Sequence, residues 1–107
     1  MDFLKMMNKA KELQTRMGEL QAEIAALEAE GSSGAGLVTV RLNGQMGVTA
    51  VRIDPSLMKP DEVEIVEDLV MAAFADAKGK VETLVASKTQ EMMGGLGLPP
   101  GMKLPFG

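Results

Sequence analysis

Residues 2–27 carry apolar side chains on a seven-residue repeat, with Phe3, Ala10, Met17 and Ile24 at one position and Met6, Leu13, Leu20 and Leu27 at the other. A repeat of this period makes a narrow apolar seam on an α-helix. At 1.5 Å per residue the helix spans about 40 Å, whereas a compact fold of this size has a radius of gyration of about 13 Å. Part of the helix must project from whatever core the chain builds. Gly18 lies inside the seam and costs about 1 kcal/mol relative to Ala, which a pattern this long absorbs.

The segment GSSGAG (residues 31–36) breaks the helical period and reads as a turn. It follows a helix and lacks a Gly-Lys-Ser/Thr ending, so it is not a phosphate-cradling loop. Residues 37–43 then alternate, Val38, Val40 and Leu42 on one face and Leu37, Thr39, Arg41 and Asn43 on the other. This is the pattern of a half-buried strand. Asn43-Gly44 signals a hairpin into a second alternating run at residues 48–54. Residues 28–32 offer a further short strand, for which their composition hardly argues. Asp54 and Pro55 suit the cap and first position of a short helix that Pro60 ends. A long second helix follows, with Asp61, Glu62 and Glu64 near its start and Val66, Val70, Ala73, Ala77, Val81 and Leu84 on its apolar stripe. Gly79 weakens it locally. From Gly94 onward Gly and Pro recur too densely for a helix, so the chain divides into a domain at residues 1–93 and an extended tail at 94–107.

A chain of 107 residues supports one modest core. It has no Cys and no His, which removes disulfides, thiolate chemistry and the commonest general base and metal ligand. Its carboxylates are strung along helix faces without the loop spacing of a calcium site, and its serines lack a histidine to activate them. The sequence therefore points to no catalytic residue, no metal and no cofactor. The longest apolar run, residues 69–75, falls short of the roughly 20 residues a membrane span needs. Lys5, Asn8, Lys9 and Lys11 interrupt any signal-like stretch at the N-terminus. A cytoplasmic protein with no membrane partner is the expectation.

The net charge is −4, yet the charges are sorted by position. Lys5, Lys9, Lys11 and Arg16 outnumber Asp2 and Glu12 in the first part of helix one, while Glu19, Glu23, Glu28 and Glu30 follow with no cation among them. The second long helix begins acidic and closes on Lys78, Lys80 and Lys88 against Glu82 and Glu91. Lys5 and Lys9 sit where the macrodipole disfavours cations, so local helix stability does not explain them. If the two helices pack antiparallel, the basic ends meet at one tip. With no Trp or Tyr and only three Phe, a stacking platform for single strands is not indicated. Duplex phosphates are the better match, and the overall negative charge predicts local, salt-sensitive contact.

Four segments in register resemble one family: GAGLVTVRLNG (residues 34–44), VRIDPSL (51–57), EDLVMAAF (67–74) and LPPGMKLPF (98–106). Together they are similar to the bacterial YbaB/EbfC nucleoid-associated proteins, over nearly the whole chain. The resemblance implies an α+β fold of two layers: a long helix, a three-stranded antiparallel sheet, a short helix and a further long helix, assembled as a tweezer-shaped homodimer. It brings in the weak third strand near residues 28–32. It also implies binding of double-stranded DNA by the helical arms, in the nucleoid, and an association with recombination and repair gene neighbourhoods, which leaves open a physical partner among recombination or replication proteins. On charge grounds Lys5, Lys9, Lys11, Arg16, Lys78, Lys80 and Lys88 are the candidate DNA contacts. An interaction scaffold for such proteins, built on the arms or the Pro-rich tail, is the alternative of a different class.

Overall fold

In a computed structural model that describes residues 2–95, two long helices flank a small sheet in sequence, and only one of them covers it. Helix α1 (Phe3–Ala26) leads into strand β1 (Glu28–Ser33), followed by a 3₁₀ turn (Gly34–Gly36), β2 (Val38–Asn43) and β3 (Val48–Ile53). Two further 3₁₀ turns, Pro55–Leu57 and Pro60–Glu62, carry the chain into α2 (Val63–Gly95). The sheet is antiparallel in the order β1-β2-β3, and α2 lies across β1 and β2 to give the two-layer α+β architecture.

The alternation of β2 decides where the core forms. Val38, Val40 and Leu42 are all but completely buried beneath α2, where they meet Ala73, Ala77 and Val81, with Leu57 closing one end. Burial of each Val or Leu side chain among them stabilises the fold by about 1.5–3 kcal/mol. Ala73 and Ala77 are small because the helix axis comes very close to the sheet at this point. The closest approach is at Gly31, where an added Cβ would overlap the backbone of Ala73 and Ala77.

That contact corrects the expectation that residues 31–36 form a turn. Gly31, Ser32 and Ser33 belong to β1 and pair with Val40, Thr39 and Val38; the turn itself is confined to residues 34–36, whose backbones all have positive φ. The glycine that looked like a helix breaker is a strand residue whose missing side chain admits α2. Asn43-Gly44 does open a hairpin, but of a longer kind. Asn43 Oδ1 accepts from the backbone N–H groups of Gln45 and Gly47, both at 2.9 Å, and Met46 takes the left-handed conformation at φ 64°. The short helix after β3 is a single 3₁₀ turn, capped as its sequence suggested: Asp54 Oδ1 accepts from Ser56 N at 2.9 Å. Hydrogen bonds from the Ser56 side chain and backbone hold the Asp54 carboxyl below its ordinary pKa.

Helix α1 is capped by Asp2, whose carboxylate accepts from Leu4 N at 3.2 Å, and it buries no residue fully. Only Leu20, Ile24 and Ala25, in its last two turns, are even half-buried. The rest projects. The molecule measures 72 × 24 × 18 Å with a radius of gyration of 19.8 Å, well above the about 13 Å of a compact chain of this length. Helix α2 continues to Gly95, two residues past the expected boundary at 93; the tail expected at residues 94–107 lies outside the described residues from 96 onward.

Candidate nucleic-acid interface

The free part of α1 has a charge of its own. Residues 2–18 hold four cations against two carboxylates, a net +2, while the rest of the chain holds seven cations against thirteen carboxylates, a net −6. Lys5, Lys9 and Arg16 lie on one flank of the helix, since spacings of four and seven residues return to nearly the same azimuth; Lys11 lies on another. Inward from Arg16 the same flank continues as Glu19 and Glu23. All four cations are exposed, and none makes an ion pair among the described residues.

The cations of α2 are used differently. Lys80 Nζ lies 3.1 Å from Asp76 Oδ2 and donates to the Glu30 carbonyl at 3.1 Å, while Asp76 Oδ2 accepts from Ser32 N at 3.0 Å. The two side chains thereby occupy polar groups on the outer edge of β1, an edge that would otherwise be open to pairing with another strand. The Ser32 N–H, and after it Lys80, hold the Asp76 carboxyl below its ordinary pKa. Lys88 Nζ is 3.3 Å from Glu23 Oε2 on α1 and 3.9 Å from Glu91 Oε2. Lys78 is exposed and makes no ion pair among the described residues.

The helices do run antiparallel where they meet, but the two basic groups do not share a tip. Lys88 stands level with Glu23, and from that level Lys80 and Lys78 lie toward the sheet whereas Arg16, Lys11, Lys9 and Lys5 lie outward. Counting helical rise, Lys9 and Lys80 are separated by about 30 Å along the molecule. The end-to-end offset arises because α2 seats its middle on the sheet, fixed by the Gly31 contact, while α1 meets the sheet only at its C-terminal end.

Two cations outside the sequence-derived set are also exposed without ion pairs among the described residues: Arg52, opposite Thr39 on the solvent face of the sheet, and Lys59, between the 3₁₀ turns. Arg52 faces away from the covered side because its partner Thr39 alternates with the buried Val38 and Val40. Both lie at the end of the sheet remote from the hairpin and from the arm.

The sequence profile of the YbaB/EbfC DNA-binding family matches residues 1–96 of the chain. A nucleoid-associated protein of Rhizobium meliloti is 57% identical over 105 residues, covering 98% of each chain. One from Brucella ovis is 58% identical over the same length and coverage. In structure, an uncharacterized protein of Helicobacter pylori superposes with a TM-score of 0.70 at 24% identity, over 87% of this chain and 98% of the other, which supports the fold.

Proposed function

The chain belongs to the YbaB/EbfC DNA-binding family, and from that premise we propose that it is a nucleoid-associated protein that grips duplex DNA with the α1 arms of a homodimer, with little sequence preference. The observation that carries this reading is the state of the cations. On α1 they stand exposed and without ion pairs among the described residues, while on α2 Lys80 and Lys88 are already committed to carboxylates. Phosphate contacts by lysines position a protein on a duplex without reading its sequence. The acidic remainder of the chain repels DNA, which keeps binding confined to the arms and sensitive to salt.

The dimer is supported by a stretch of α2, residues 69–75, that is apolar on every side. Residues 69–77 of α2 read LVMAAFADA up to Ala77, and the sheet takes only Leu69, Val70, Ala73 and Ala77. Met71 is left 63% and Phe74 37% exposed, with Ala72 and Ala75 also outward. A helix apolar all round belongs inside a protein. A second copy laid against this outer face buries it, and Val48 and Val51 at the uncovered margin of the sheet extend the same apolar surface. A binding role in the nucleoid, without catalysis, is what the family and the names of the relatives support.

Titrating duplex DNA against salt tests the proposal. Wild-type affinity should fall steeply with added salt, and changing Lys5, Lys9 and Arg16 together to Glu should lower both the affinity and that slope, by about one unit of slope per lost phosphate contact. Changing Lys80 to Gln should leave the slope nearly intact. The exposed Phe3, Leu4, Met6, Met7, Leu13 and Met17 of the arm favour the second reading, a scaffold for a recombination or replication protein. Absence of duplex binding at low salt would decide for it.

A further inference from the structure

We infer that the root of the α1 arm is a positioning device, in which Gly44 and the Glu23–Lys88 ion pair set the angle at which the arm presents its cations to a duplex. The inference rests on the reading of α1 as the DNA-contacting arm, and goes beyond it by assigning roles to residues that touch no DNA.

The geometry has three parts. First, α1 passes into β1 through a single extended residue, Leu27, with φ −63° and ψ 142°, so no linker uncouples the helix from the sheet. Second, the hairpin backbone at Gly44 lies so close to the Ile24 carbonyl that a Cβ there would overlap it. Gly44 does not have a positive φ, so its lack of a side chain serves the close approach and not the turn. Third, Lys88 Nζ reaches Glu23 Oε2 at 3.3 Å, one residue before Ile24, from α2. One turn of α1 is thus held by the hairpin and by α2 together.

Leverage makes this turn matter. From Ile24 to Lys5 the arm extends about 28 Å, while the contact at its root covers about 6 Å, roughly one helical turn. A displacement of about 1 Å at the root therefore becomes about 5 Å at Lys5, more than the 3.4 Å per nucleotide of one DNA strand along its axis. An exposed ion pair adds little to stability, so the value of Glu23–Lys88 lies in direction. Its removal also gives a test of sign. Glu23→Gln deletes a negative charge beside a DNA-binding arm, and simple electrostatics then predicts tighter binding, whereas loss of positioning predicts weaker binding.

The absence of cysteine lets spin labels be placed at will. With cysteines introduced at Asn8 on the arm and Ala50 on the sheet, and labelled protein diluted into unlabelled protein, pulsed electron–electron double resonance reads the intrachain distance. We expect one narrow distance in the wild-type background, a shift of several Å in Gly44→Ala and a broadened distribution in Glu23→Gln. Duplex affinity should fall roughly tenfold in each, with a shallower salt dependence. The charge swap Glu23→Lys with Lys88→Glu should restore the narrow distance. Should Gly44→Ala fail to fold, Glu23→Gln and the swap still decide. An unchanged distance in Glu23→Gln, or tighter DNA binding by it, overturns the inference. Failure of the wild-type protein to bind duplex DNA would instead sink the DNA reading, and the distances would still judge the root.

Discussion

The two long helices of this protein look alike as sequences and differ in almost everything the fold asks of them. Helix α2 presses Ala73, Ala77 and Val81 onto the sheet until none retains exposed surface, and its charged side chains Asp76 and Lys80 bind the edge of β1. Helix α1, with the more regular apolar repeat, buries nothing fully and leaves Phe3 72% and Leu4 66% exposed. Regular periodicity therefore does not identify the core helix. What distinguishes α2 is small side chains along its inner stripe, facing a strand that has a glycine at the point of contact. Close approach lets a short sheet bury a helix, and a large Met or Leu at those positions would hold it off.

The contrast can be broken most forcefully at Gly31. Replacing it with Ala inserts a Cβ into the backbone of α2 and should cost about 3 kcal/mol of stability, read as a lowered denaturation midpoint for the whole domain. A loss below about 1 kcal/mol would mean that α2 is not seated on β1 as described.

Gly18 is the counterpart on the arm, with open space where its Cβ would be. Gly18→Ala should stabilise the helix by about 1 kcal/mol, visible as slower amide hydrogen exchange around residue 18. The global melting temperature should hardly move, because the arm frays independently of the sheet. A full shift of the global transition would show instead that the arm folds as one unit with the core.

The smallest effect is expected from acid. The Asp76 carboxyl sits below its ordinary value of 3.8, so its stabilisation is fully present above that value and disappears as the pH falls further. Asp76→Asn should therefore flatten the dependence of stability on pH in the most acidic range and change it little near neutrality. Equilibrium unfolding at a series of low pH values, wild type against variant, checks this; parallel curves would remove Asp76 from the edge of β1.

Much of this molecule is legible in its sequence. The seam of α1, its length and its need to project followed from a period and a rise per residue. The alternation of residues 37–43 named Val38, Val40 and Leu42 as the buried face, and they are. Strand β1 could not be read this way: EAEGSS has no alternation of apolar and polar residues and contains a glycine, because its inward face meets helix backbone in place of side chains. The residues offered it only weakly, and the family resemblance brought it in. The candidate site was half legible. The free cations of α1 were recognisable from local charge alone, whereas nothing local revealed that Lys80 and Lys88 find carboxylates.

By itself the sequence determined the two long helices, the β2–β3 hairpin, the buried face of β2 and the sorting of charge, since each depends on neighbours within a few residues. The tertiary structure alone decided which long helix would be covered, and with it which cations remain free. Lys88 meets Glu23, and Lys80 meets the Glu30 carbonyl, across separations that no local pattern encodes. Whether a lysine is a phosphate ligand or half of an ion pair depends on what the fold brings within about 4 Å of it.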